Sequence, residues 1–476
     1  MTVLAIDQGT SATKAVVLAP DGAVLSLAEV SIRVEATSAG AVELDPEELW
    51  ASVVAAATQA LATAGRPALR AIGLANQGET VVAWDRSTGV PMGPAIVWQD
   101  RRAEVVCDRV RGHADFLSEH TGLELDPYFV APKMIWLRER VGDGPTITTT
   151  DAWMLHRLCG AFATDVATAG RSLLLDLDTA QWSDLACEIF GIDRATLPTV
   201  VGNAESLGEC DLFGGSVPVT GTCVDQQAAL FAECCRDAGE AKCTYGTGAF
   251  MLACTGDQPT RSTNGLVGCP AWRIGTQPTT YCLDGQVYTV GAAVTWLMEM
   301  GIMSEPADLD RLGGAVDGPA GVTFVPALAG LAAPFWKPQA KAAFSGLTLG
   351  TERGHLVSAA IEGIAAQVAL LAQAAGRDLG APLKRLRVDG GLTRSRVLLQ
   401  TQADLLQAPV EVYPSPHATA LGVAAFADLG AGSGSHDQMG AAAWHPDVVI
   451  EPRIGPDEAA ERLAAWQRVA TATMDL

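Results

Sequence analysis

The chain has 476 residues, 49% hydrophobic and 18% charged, which is enough for two or three domains and too apolar for a disordered polymer. Its 32 basic residues face 54 acidic ones, a net charge of −22, which argues against a nucleic-acid surface. Any bound nucleotide must then be held by backbone N–H groups, helix N-termini, a few cations and Mg²⁺.

In chain order, residues 3–6 are an apolar run that meets Asp7-Gln8-Gly9-Thr10. Residues 14–18 and 24–30 flank Asp21-Gly22, a strong hairpin signal. A helix is predicted from Asp45 as N-cap, with Pro46 at its first position and Leu49, Val53, Ala57 and Leu61 on one face, ending near Gly65 and Pro67. Residues 69–74 then read as a buried strand, and residues 217–224 as a Gly-Thr-rich strand that carries valines. Late in the chain, residues 362–373 are helical, 386–388 a strand, 397–406 a helix and 410–413 a strand. Such alternation predicts α/β layers, with a mixed sheet because of the opening hairpin. A strand-to-Gly-Thr turn occurs at residues 7–10 and again at Tyr245-Gly246-Thr247-Gly248, about half the chain apart, which suggests duplication with a boundary near residue 235. The Gly- and Ser-rich residues 430–435 read as a surface loop.

The start Met-Thr-Val-Leu-Ala-Ile-Asp lacks a basic region and is not a signal peptide. The longest apolar stretch, residues 322–336, carries Pro326 and Pro334 and is too short to span a bilayer. Eleven cysteines without a CxxC pair, and seven histidines without HxxxH spacing, predict reduced cytoplasmic thiols and no zinc site.

Four segments offer chemistry. Residues 7–14 place a carboxylate at a strand end, then small residues, hydroxyls and Lys14, suited to a phosphate and Mg²⁺ or to an ordinary β-turn. Asp225-Gln226-Gln227 stands between a strand and an apolar helix, so Asp225 is either a proton acceptor for an attacking hydroxyl or an N-cap. Asn76-Gln77-Gly78-Glu79-Thr80 is a polar run after a buried strand. Asp389-Gly390-Gly391 lets backbone approach a flat ligand. Arg101-Arg102 is a small basic spot, either a ligand contact or a surface ion pair.

Together these segments resemble the FGGY carbohydrate kinases, and within them the glycerol kinases. The resemblance runs in order through Asp7-Gln8-Gly9-Thr10, Glu43-Leu44-Asp45-Pro46, Ile96-Val97-Trp98-Gln99-Asp100-Arg101-Arg102, Asp126-Pro127-Tyr128-Phe129, Asp225-Gln226-Gln227, residues 242–248, residues 342–362 and Arg387-Val388-Asp389-Gly390-Gly391. It implies two duplicated ribonuclease-H-like (actin-like ATPase) domains, residues 1–235 and 236–476, each with a mixed sheet, and a cleft between them for ATP. Asp225 would be the general base and Asp7 the Mg²⁺ residue. Thr10, Ser11, Lys14, Gly246 and Thr247 would surround the phosphates, and Gly291, Gly390, Gly391 and Ser395 would line the nucleotide. Glu79, Trp98, Tyr128, Asp225, Gln226 and Phe250 would face a small polyol or sugar, with Gly78 beside them. The family also implies a homo-oligomer, dimer or tetramer.

Three positions depart from that pattern. Gly78 stands where glycerol kinases carry a glycerol-contacting Arg, which removes a charged donor and leaves a void for a longer substrate. Thr295 replaces a nucleotide-side Gln, and Val130 replaces Pro, Ser or Thr just after Tyr128. Glycerol is the expected acceptor, a C4–C5 alditol or ketose the alternative, and a non-catalytic actin-like ATP switch the remote third.

Overall fold

A computed structural model describes residues 2–37, 40–432 and 445–474. Of the Gly- and Ser-rich loop, residues 433–435 lie outside the described residues.

The opening apolar run forms the strand Thr2–Gln8, which pairs antiparallel with Ala12–Leu18, itself antiparallel to Val24–Ser31. On the other side, Leu69–Asn76 and then Val217–Val224 add in parallel, and the edge strand Gly208–Cys210 completes a six-stranded mixed sheet. The central strands are covered on both faces, which is why they read as continuous apolar runs rather than alternating ones.

The second sheet repeats this plan. Ala241–Tyr245, Ala249–Gly256 and Thr280–Val287 pair antiparallel in succession. Leu386–Asp389 and Val410–Val412 add in parallel to the first of them. Val267–Trp272 and Val448–Ile450 widen it to seven strands. The turn after Asp7 and the turn after Tyr245 therefore occupy equivalent places in two copies of one fold, as the spacing of the two motifs predicts. In a separate five-stranded sheet, with strands between Val34 and Thr149, Trp98 follows the strand Ala95–Ile96, and Tyr128 lies just before the helix Val130–Val141.

Helix Pro46–Thr63, capped by Asp45 (Glu47 N donates to Oδ1, 2.9 Å), covers one face of the first sheet. Its other face is covered by Ala418–Gly430, which lies beside the helix Asp225–Ala232. Thus a late segment of the chain closes the early sheet. The 27-residue helix Arg353–Leu379 is long and apolar enough to cross a membrane by length and composition, but most of it is buried against the second sheet. All eleven cysteines are free thiols.

Candidate active site

The two equivalent turns open on one cavity of about 200 Å³, lined by Thr10 and Ser11 from the first and by Gly246, Thr247 and Gly248 from the second. The first turn is closed by Gly9 N donating to the Ala12 carbonyl, 3.1 Å. The Trp98 indole Nε1–H donates to Thr10 Oγ1 at 2.9 Å, so an aromatic wall also fixes a hydroxyl of the turn.

Asp225 enters the cavity at the end of Val217–Val224, on the first residue of its helix. The cap position is Val224, and among the described residues the Asp225 carboxylate accepts only from its neighbour Gln226 N, 2.7 Å. The capping role is therefore not the one adopted. Burial pushes the carboxyl up to about 7, the negative charge of Asp7 adds to the shift, and Lys242 opposes it. Lys242, fully buried, donates to Gln226 Oε1 at 2.6 Å and Thr244 Oγ1 at 2.7 Å, which orients the Gln226 amide next to Asp225.

Opposite stands a buried ion-pair trio. Arg171 Nε donates to Glu79 Oε1 at 2.6 Å and Nη1 pairs with Asp284 Oδ2 at 2.8 Å, and all three residues line the cavity. Glu79 is held at φ 56, in the left-handed region, where strain of this kind is retained when the surroundings over-determine it. Burial raises the Glu79 carboxyl, with Arg171 opposing. The apolar wall is Trp98, edge-on to Tyr128 at 5.9 Å and to Phe250 at 5.8 Å. Tyr128 is held by its loop: its N–H donates to Asp126 Oδ1 (2.8 Å), and the buried Lys133 donates to the carbonyls of Pro127, Tyr128 and Phe129. Desolvation lowers Lys133 to about 8.

Of the residues expected at the site, Thr10, Ser11, Gly78, Glu79, Trp98, Tyr128, Asp225, Gln226, Gly246, Thr247 and Phe250 line the one cavity. Asp7, Lys14, Gly291, Gly390, Gly391 and Ser395 do not line it. Asp7 faces Lys14 across the first hairpin. Burial pushes Asp7 up to about 6, against the pull of Lys14 and with added repulsion from Asp389. Gly291 and Gly390 back the second turn: a Cβ on either would stand within 2.5 Å of the Gly246 or Tyr245 carbonyl oxygen. Gly391 faces open space. The Ser395 hydroxyl caps the helix Arg396–Leu406 and donates to Asp310 Oδ1, 2.6 Å. Thr295 is exposed on the helix Gly291–Glu299, and Val130 is buried at the start of Val130–Val141. Arg101 pairs with Asp126 and Glu104, and Arg102 with Asp100 and Glu43, so the basic spot is spent on ion pairs.

Arg171, Asp284 and Val224 line the cavity without having been expected there. The only sequence signal for Arg171 is a single cation in the otherwise uncharged residues 166–175.

Models of the FGGY family of carbohydrate kinases match twice, the N-terminal domain over residues 2–232 and the C-terminal domain over residues 241–431. The glycerol kinase of Thermus brockianus is 41% identical, over 98% of this chain and 97% of its own. The crystal structure of Plasmodium falciparum glycerol kinase with ADP superposes with a TM-score of 0.92 at 30% identity, covering 99% of this chain and 98% of that one. A ligand-bound xylulose kinase from Lactobacillus acidophilus shares the fold, with a TM-score of 0.89 at 21% identity over 99% and 98% of the two chains. The chain belongs to the FGGY family of carbohydrate kinases and is an ATP-dependent kinase.

Proposed function

We propose that the enzyme transfers the γ-phosphoryl group of ATP to a terminal hydroxyl of glycerol, giving glycerol 3-phosphate and ADP. One observation carries the reading: a proton acceptor pushed to about 7, Asp225, shares one cavity with the hydrogen-bonding groups of Glu79 and Gln226 and the aromatic wall Trp98, Tyr128 and Phe250. Full-length similarity to proteins named glycerol kinase supports glycerol as the acceptor.

In this reading Glu79 and Gln226 match the polyol hydroxyls, because a desolvated hydroxyl is costly unless paired. The aromatic wall covers the carbon chain and excludes water, the competing acceptor. Asp225 accepts the proton of the attacking hydroxyl as its oxygen bonds to the γ-phosphorus and the bond to ADP breaks. Thr10, Ser11, Gly246 and Thr247 present backbone N–H groups and hydroxyls to the transferring phosphate, with Lys14 nearby. Gly390 and Gly391 let the backbone approach the nucleotide. We assign polyol and first-turn functions to residues 1–235 and nucleotide binding to residues 236–476.

No group of three or more His, Cys, Asp or Glu among the described residues is arranged to hold an ion alone. Mg²⁺ typically needs only one or two carboxylates beside substrate phosphates. Asp7 fits that demand: it is repelled by Asp389, whose buried Oδ1 has no hydrogen-bond partner among the described residues. A bound Mg²⁺ would neutralise phosphate charge there. Free thiols throughout support a reducing, cytoplasmic setting.

The test is ADP release with ATP and glycerol. Asp225→Asn is expected to lower kcat by about 10²–10⁴-fold while nucleotide binding by calorimetry persists. Undiminished turnover in that variant would remove Asp225 from the chemistry.

A further inference from the structure

The loss of an arginine at position 78 was expected to open the pocket, but two observations point the other way. The first concerns space. A Cβ on Gly78 would lie 3.0 Å from Val224 Cγ2, and Val224 lines the cavity beside it. Val224 belongs to Val217–Val224, which runs parallel to Leu69–Asn76 with Val224 opposite Asn76. Val224 therefore narrows the space next to position 78 from the neighbouring strand.

The second concerns charge. Arg171 reaches the cavity from just beyond the short helix Val166–Ala169. Its Nε is spent on Glu79 and its Nη1 on Asp284, with Cys269 Sγ 3.5 Å away, while Nη2 has no protein partner among the described residues. The three side chains are no more than 5% exposed. Both paired guanidinium nitrogens face carboxylates, so the trio can offer N–H and oxygen partners to hydroxyls but no unpaired cation to a carboxylate or phosphate.

Building on the polyol-kinase reading above, we propose that Arg171 is a substrate-binding residue supplying the guanidinium that Gly78 lacks, and that Val224 closes the vacated space. Together they restrict the acceptor to a neutral three-carbon polyol. Position 78 and Val224 act as a coupled pair. A Cβ at 78 already meets Val224 at 3.0 Å, so an arginine there must displace that side chain.

The experiment is a steady-state ADP-release panel on the full chain with glycerol, erythritol, xylitol, xylulose and glycerate. The wild type is expected to favour glycerol in kcat/KM by about tenfold or more. Gly78→Arg should lower glycerol kcat/KM by about tenfold or more, and Gly78→Arg with Val224→Gly should recover most of it. Val224→Ala should raise erythritol relative to glycerol. Arg171→Lys keeps a charge between the two carboxylates but loses the planar fork, and should raise KM for glycerol about tenfold or more while KM for ATP stays constant. Glycerate should remain a poor acceptor throughout. A Gly78→Arg enzyme as active as the wild type, or an unchanged glycerol KM in a folded Arg171→Lys, overturns the proposal. Should Arg171→Lys melt well below the wild type, the Gly78 and Val224 variants decide it, because they leave the ion pairs intact. A longer polyol as best substrate sinks this inference alone, whereas no turnover on any polyol sinks the polyol-kinase reading beneath it.

Discussion

A general base works only when ionised, and in the proposed role Asp225 would reach that state near pH 7 because burial and then Asp7 raise its carboxyl. The acid limb of kcat/KM is expected near pH 7, falling about tenfold for each unit below it. The same shift carries a folding consequence. The folded carboxyl, at about 7, binds its proton more tightly than an ordinary aspartate at 3.8 does in the unfolded chain. Its contribution to stability is therefore fully present below about pH 4 and is lost as pH rises through about 7. Asp225→Asn removes that loss, so its melting temperature is expected to exceed the wild type's at pH 8, with the gap shrinking as pH falls from 7 towards 4. A gap independent of pH would mean that the carboxylate is not strained in the fold. Asp225 was legible in the sequence as a strand-end carboxylate before an apolar helix. Arg171 was not, because its meaning lies in Glu79 and Asp284, partners 92 and 113 positions away in the chain, and no local pattern encodes such a pairing.

Elements were legible where burial wrote a simple pattern. The runs at residues 3–6, 69–74 and 217–224 are strands, and Asp45-Pro46 begins a helix. The helix read over residues 362–373 extends in the structure to Arg353–Leu379. Gly354 and Gly363 obscure its length, since glycine ordinarily weakens a helix. Here Gly363 serves close packing: a Cβ would stand 2.2 Å from the Phe324 carbonyl oxygen. Another contact of this kind supports the active site. A Cβ on Gly422, in Ala418–Gly430, would lie 1.9 Å from the carbonyl oxygen of Ala228, in the helix that begins with Asp225. Gly422→Ala should force the two helices apart, costing about 1–3 kcal/mol in urea unfolding and lowering kcat with it, because the base rides on the displaced helix. Lost stability with unchanged kcat would show that the shift is absorbed away from Asp225.

At the scale of the whole molecule, duplication was legible from the two Gly-Thr turns, and the repeated strand order accounts for their spacing. The late return of the chain was not. Ala418–Gly430 is rich in alanine and apolar around its circumference, so its pattern does not say which sheet it covers. In the structure Ala420, Val423, Ala424 and Ala427 pack with Val3, Ala5, Val16, Ala71 and Ala75 of the first sheet. Gly73 and Gly221 admit the helix so closely that a Cβ on either would come within 2.6 Å of its backbone. A cut near residue 235 therefore divides the strands of the two sheets but separates the first sheet from one of its covers. Exposing such a strip of a sheet built to be covered on both faces leaves apolar surface that a monomer seldom tolerates. Residues 1–240 expressed alone are expected to aggregate or to lack a cooperative melt by circular dichroism. Adding residues 236–476 in trans should recover a soluble complex with kinase activity. A cooperative melt of the isolated fragment would show that the first sheet holds without the returning helix.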